Sequence, residues 1–221
     1  MTEDINDYFN QGLILHTFQA ERNILIWKYI AEEFNFLNTQ KREIIEMYEF
    51  MQRSAQTNYI LSLGKIFDKP DRNYPNRCIQ SFLNKLIETA NVQIVETTET
   101  KKLLKKYICS SELIESVENS KKESFPELFA KYYLKKYNDK DFQIEINKLK
   151  SLRNKVEAHN EVIGNLSLEF ETTEILLNFV TEIVTIFGMA YYSTKWGTLV
   201  KKNAEDYAFF IKSNIAELKK K

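Results

Sequence analysis

Apolar residues recur every three or four positions along most of this chain, the spacing of one buried face of an α-helix. The clearest stretch is residues 40–67, which contains no proline and has its single glycine, Gly64, near the end. The pattern predicts a long helix here, with Asn38-Thr39 as its N-cap. Residues 7–36 show the same spacing, so we expect an earlier helix that packs against the long one.

Shorter helical patterns follow, separated by turn-forming residues. Residues 67–75 hold two of the three prolines and must form a loop. Asn76 can cap a helix over residues 79–90, and further helices are predicted over 101–117 and 126–137, the latter with Pro126 in its first turn. Asp139 or Asp141 can cap the next helix. An apolar helix begins at 172–174 and a last one at about 203, whereas 91–98 and 166–170 are expected to be extended.

These elements predict an all-α fold. We expect one domain over residues 1–221, an up-and-down bundle of four or five long helices with shorter helices inserted at about 98–137. A content of 43% hydrophobic residues, with only five glycines and three prolines, agrees with a folded helical domain.

Charge, cysteines and hydropathy exclude several classes of protein. The 31 basic and 31 acidic residues cancel, so no overall field attracts nucleic acid or an anionic membrane. Cys78 and Cys109 lack zinc spacing and are expected to be buried thiols.

The most apolar segment, 175–192, contains Asn178 and Glu182, which indicates a core helix and not a membrane span. The N-terminus is acidic, unlike a signal peptide. We therefore expect a cytoplasmic protein without a membrane partner.

The only credible chemical site lies at residues 150–160. Arg153 offers a planar cationic fork suited to phosphate, Asn154 can orient a bound group, and His159 can transfer protons near neutral pH. Together they suit phosphodiester cleavage that needs no metal and no cofactor. His159 would deprotonate a ribose 2′-hydroxyl or protonate the leaving 5′-oxygen, while Arg153 stabilises the phosphoryl charge, so the substrate would be RNA. Further substrate contacts are expected from Lys150, Lys155 and Asn160.

Simpler interpretations exist for the same residues. The motif could be a surface face of spaced ion pairs, with His159 satisfying a helix end. The lysine pairs between 101 and 136 are best interpreted as solvated surface. His16 has no suitably spaced arginine upstream and is expected to be a packed or partly exposed helix residue. Asp68 and Asp71 could bind a metal, although Asp68 more simply caps its turn.

The residues 152–160, Leu-Arg-Asn-Lys-Val-Glu-Ala-His-Asn, together with Ile66-Phe67-Asp68 at the end of a long helix, resemble the abortive-infection U-type branch of the HEPN domains. The resemblance implies a metal-independent endoribonuclease that acts as a homodimer, with the motifs meeting in a cleft, and that serves as a toxin with a cognate antitoxin or in abortive defence against phage. Arg153 and His159 would be catalytic, supported by Asn154. Glu161 stands two residues after His159, where another HEPN branch has a tyrosine. Control by a nucleotidyltransferase antitoxin that acts on this tyrosine is therefore not expected.

Helical geometry limits how the motif can work. At about 100° per residue, six residues turn a helix by about 600°, so Arg153 and His159 would lie roughly 120° apart around one helix axis. Either the helix unwinds near Ala158, or the two side chains meet across a dimer interface, where one histidine can act as base and the other as acid. The alternatives are a non-catalytic HEPN-like module that binds nucleotide or RNA, and a structural helical protein that binds partners.

Overall fold

The N-terminal half of the chain is built on a helical hairpin. In the computed structural model, which describes residues 3–71, 76–88, 94–108, 110–117, 124–158 and 170–220, α1 (Glu3–Asp7), a π-helical segment (Tyr8–Ile14) and α2 (Leu15–Glu32) follow one another directly. After α3 (Phe34–Leu37) the chain reverses into α4 (Arg42–Ile66), which packs along α2. The predicted pairing of the first helical pattern with the long helix is therefore confirmed.

The predicted cap of the long helix is wrong. Lys41 occupies the N-cap position of α4 and makes no side-chain capping hydrogen bond. Thr39 instead donates its hydroxyl hydrogen bond to the carbonyl oxygen of Phe36, 2.8 Å away. Its side chain is thus used to close the turn after α3, and the first amides of α4 bond to the Lys41 carbonyl.

Four shorter helices are inserted between α4 and the helix that carries the motif. They are α5 (Ile79–Glu88), α6 (Thr97–Tyr107), α7 (Ser111–Ser116) and α8 (Phe125–Tyr137). The single helix predicted over 101–117 is two helices, because the Ser110 side chain accepts a hydrogen bond from the Leu113 amide and starts a new helix. Asn76 does not cap α5 but donates to the carbonyl oxygen of Lys69. The buried thiol of Cys78, which was predicted, lies directly before α5, whereas Cys109 and residues 89–93 lie outside the described residues.

The C-terminal half contains the three remaining long helices: α9 (Lys140–Ala158), α10 (Phe170–Tyr192) and α11 (Trp196–Leu218). Asp139 accepts hydrogen bonds from the amides of Asp141 and Phe142, as expected of the cap of α9. The start of α11 was predicted too late, since the helix begins at Trp196 and not at about residue 203. Gly197 in its first turn allows α11 to lie against α10, because a Cβ there would collide with the hydroxyl of Thr185.

The core surrounds α10. Its inward side chains have almost no exposed surface, and they meet two aromatic groups, one around Phe9, Phe82 and Phe187 and one around Phe67 and Phe179. The stretch Glu171–Tyr192 is apolar and long enough to cross a membrane, but 72% of its most apolar window is buried inside the protein. That burial is typical of a core helix, as predicted. No strand occurs among the described residues, so the all-α fold with inserted short helices is confirmed.

Candidate functional site

Arg153 lies on α9 and reaches across to the end of α4. Its Nη1 atom is 2.8 Å from Oδ1 of Asp68, the second residue after α4. The arginine side chain is 22% exposed and the aspartate side chain 35% exposed, so the pair lies at the edge of the core and still reaches solvent. The guanidinium is therefore held in one place at the protein surface.

Asp68 is positioned by the residue before it. Phe67 is fully buried and contacts the rings of Tyr137, Phe142 and Phe179, with centroids 6.0 to 6.5 Å away. This packing anchors the first residue after α4 in the aromatic part of the core. The next residue, Asp68, consequently leaves the core beside α9, where it meets Arg153.

Gly64 provides the space that Arg153 occupies. A Cβ atom at this position would lie 2.5 Å from Cδ and 3.3 Å from Nε of Arg153, closer than carbon atoms can pack. The absence of a side chain at Gly64 thus allows the stem of the arginine to lie directly on α4. Gly64 thus leaves space for the arginine stem, and Asp68 supplies the negative charge that pairs with the guanidinium.

The structure brings some of the other predicted residues to this point. Lys150 lies one turn before Arg153 on α9 and is half-buried; burial lowers the pKa of its ammonium group, as does the nearby Lys69, while Asp68 acts in the opposite direction. Asn154 and Lys155 follow Arg153 and are exposed. Two basic side chains of α9 and one from the loop after α4 therefore surround Asp68.

The other predicted site residues are not described. His159 and Asn160 lie outside the described residues, so their roles stay predictions. Helix α9 is continuous from Arg153 to Ala158, which rotates the chain by about 140° from the direction of Arg153. The expectation that Arg153 and His159 do not share one helix face therefore stays a prediction.

The contact between Asp68 and Arg153 is the functional feature that sequence reasoning missed. Asp68 was interpreted as a turn residue, because nothing in the local sequence links it to α9. The signals in the sequence were its position directly after an aromatic residue at the end of a long helix, and the share of Ile66-Phe67-Asp68 in the family resemblance. Within the described ranges, no group of three or more histidine, cysteine, aspartate or glutamate residues could hold a metal.

His16 lies on α2, as a partly buried helix residue. Its Nδ1 atom is 3.1 Å from Oε1 of Gln19 in the next turn. Burial lowers the pKa of the imidazole, and the nearby Lys65 and Arg77 lower it further, against the raising effect of the Gln19 hydrogen bond. The prediction of a packed helix histidine is confirmed.

An all-α domain with a late helix that carries an arginine, a following polar residue and, six positions after the arginine in the sequence, a histidine has the features of the HEPN class. The family model HEPN_AbiU2, described as AbiU2, matches residues 11–210. The chain therefore belongs to the AbiU2 family of HEPN proteins, an abortive-infection family. No curated protein and no solved structure matches the chain.

Proposed function

We propose that this protein is a metal-independent endoribonuclease that acts as a toxin or as an effector of abortive infection against phage. The observation that carries the proposal is the geometry of Arg153, whose guanidinium is held at the protein surface by Asp68 with Lys150 one turn away. A cation fixed before the substrate arrives stabilises developing phosphoryl charge without the cost of reorganisation.

In the proposed reaction, the 2′-hydroxyl of a ribose attacks the adjacent phosphorus and the 5′-oxygen of the next nucleotide leaves. His159 removes the proton of the 2′-hydroxyl, and an imidazolium protonates the leaving oxygen. Arg153 binds the phosphoryl oxygens while charge grows on them. The products are a 2′,3′-cyclic phosphate and a 5′-hydroxyl, so the balance of atoms requires neither water nor a metal in this step.

The proposed active form is a homodimer with the two motifs facing one cleft. Two copies supply two histidines, so that one can be the base while the other is the acid. This arrangement does not require Arg153 and His159 to share one face of α9. A cognate antitoxin would then block the cleft or the dimer, and the exposed Asn154 and Lys155 would contact the RNA backbone.

The experiment is incubation of purified protein with RNA in EDTA, comparing wild type with Arg153→Ala and His159→Ala. Matched controls are Arg42→Ala, an arginine whose side chain is 88% exposed at the far end of α4, and His16→Asn, the second histidine of the chain. We expect cleavage by wild type and both controls, none by the two motif variants, and none of a DNA strand of the same sequence. Activity that disappears in EDTA, or that survives both motif substitutions, would refute the proposal.

Light scattering of the active protein at the assay concentration tests the dimer separately. An active monomer would contradict the cleft shared by two chains. Cleavage by a single chain would then be the mechanism that remains. Tight RNA binding without cleavage would favour the non-catalytic module instead.

A further inference from the structure

A concave surface lies on the helix that carries the motif, about three turns before Arg153. It is a cleft of about 580 Å³ between α8, α9 and α10. Its apolar lining comes from Phe142, Phe179 and Ile175, with the ring of Tyr132 on the α8 side. This volume lies in the range of sites that bind small molecules, and an apolar surface with a few polar groups is what such sites have in common.

Glu182 is the polar group that sets the character of the cleft. Its side chain is only 15% exposed, and its Oε1 atom accepts hydrogen bonds from the Tyr133 hydroxyl at 2.7 Å and from Nζ of Lys136 at 3.4 Å. Both contacts use the same oxygen, so among the described residues Oε2 is left as an acceptor in a cleft that Glu182 lines. A ligand in the cleft can supply donors to this oxygen in place of water.

Several neighbouring side chains extend this polar edge. Asn178 precedes Glu182 by four residues on α10, so the two side chains lie next to each other along the cleft. Its amide offers both an acceptor and a donor. Lys136 lies 5.2 Å from the centre of the Tyr132 ring, and the exposed Lys135 also lines the cleft. Asp139 lines it too, but its Oδ1 atom accepts hydrogen bonds from the amides of Asp141 and Phe142 at the start of α9.

We propose that this cleft binds a guanine nucleotide of the RNA substrate; the inference rests on the ribonuclease function proposed above. Guanine carries two adjacent donors, N1–H and the N2 amine, which can both donate to Oε2 of Glu182, and its O6 accepts from the Asn178 amide. Adenine, cytosine and uracil each present a single donor position on that edge. The base stacks on the aromatic surface, and Lys135 contacts its phosphate.

The position of the cleft relative to Arg153 assigns the guanine to a flanking nucleotide. Phe142 precedes Arg153 by eleven residues on α9, which corresponds to about 16 Å along the helix and a difference of about 20° in direction. Phe67 contacts Phe142 while the next residue, Asp68, contacts Arg153, so the two places are joined by consecutive residues. At about 3.4 Å per stacked nucleotide, and more when the strand is extended, roughly three to five nucleotides span this separation.

The first test is calorimetric titration of wild-type protein in EDTA with guanosine, adenosine, cytidine and uridine 5′-monophosphates. We expect guanosine monophosphate to bind about tenfold or more tightly than the other three. Glu182→Gln should remove this preference, because the amide keeps an acceptor for the Tyr133 hydroxyl but replaces the second carboxylate oxygen with a donor. The control Glu174→Gln, at an exposed position of the same helix, should bind like wild type. Thermal unfolding of Glu182→Gln verifies that the variant is folded.

The second test maps cleavage of RNA oligonucleotides that contain one guanosine at varied positions. Wild type should cleave about three to five nucleotides from the guanosine. Glu182→Gln should cleave at positions that do not depend on where the guanosine lies. The inference would be overturned by equal affinity for all four nucleotides, or by undiminished binding to folded Glu182→Gln. Binding of arginine amide in place of guanosine monophosphate would also overturn it, because that result would assign the cleft to a protein partner.

The two proposals fail separately. Nucleotide binding is measured without turnover, and it should persist in His159→Ala. Cleavage by a protein that does not bind guanosine monophosphate would refute only the cleft, whereas selective binding by a protein that does not cleave RNA would refute only the nuclease.

Discussion

Under the proposed ribonuclease function, Gly64→Ala should slow RNA cleavage strongly without unfolding the protein. The new methyl carbon would lie 2.5 Å from Cδ of Arg153. Carbon atoms pack at about 3.5–4.0 Å, so the arginine stem must move by about 1 Å or more. Because Cδ is only two bonds from the guanidinium carbon, the charged group moves with it and leaves its 2.8 Å contact with Asp68.

The effects on stability nearly cancel. Alanine is favoured over glycine inside a helix by about 1 kcal/mol. The lost ion pair, whose side chains are 22% and 35% exposed, is screened by solvent and contributes about 0.5–1 kcal/mol. We therefore expect Tm to stay within about 4 °C of wild type. A displacement of about 1 Å at a catalytic group, by contrast, lowers the rate about 100-fold.

The assay is kcat/KM on a fluorogenic RNA in EDTA, measured beside thermal unfolding. Asn58→Ala, an exposed position on the same helix, is the matched control and should match wild type in both measurements. A Gly64→Ala protein with the wild-type rate would refute the claim that Gly64 positions Arg153. A rate loss accompanied by a large fall in Tm would show that α4 itself had moved.

Three further predictions follow from named contacts. Asp68→Asn should keep the fold but lower kcat more than it raises KM, because Arg153 loses its counter-charge. Initial rates over a range of substrate concentrations measure both constants. A larger change in KM than in kcat would indicate that Asp68 binds RNA directly. Gly197→Ala should destabilise the protein by about 1–3 kcal/mol, since the methyl group collides with Thr185, and an unchanged urea midpoint would contradict that packing. His16 has a lowered folded-state pKa, so the unfolded chain binds its proton first as pH falls below about 6.5, and stability decreases there. Urea unfolding of His16→Asn should lose less stability than wild type between pH 7.5 and 5.5, and parallel curves would argue against a buried neutral imidazole.

Much of the fold could be predicted from the sequence, because a helix repeats its buried positions every three or four residues. The pairing of α2 with α4, the insertion of short helices before α9 and the buried course of α10 all followed from that spacing. The errors fall at helix ends, at Thr39, Asn76, Ser110 and Gly197. At these positions the ends depend on one side-chain hydrogen bond or one close helix contact, and neither leaves a periodic signal.

The same division applies to the candidate site. The sequence by itself determined that Arg153, Asn154 and His159 stand at the spacing of one chemical motif late in a helical chain, since spacing is a local property. Only the tertiary structure decided that Arg153 lies on Gly64 and pairs with Asp68, because α4 and α9 are distant in the chain and meet through the packing of Phe67. Which charges lie beside an arginine depends on how whole helices cross, and that is set by the core and not by the residues next to it in sequence.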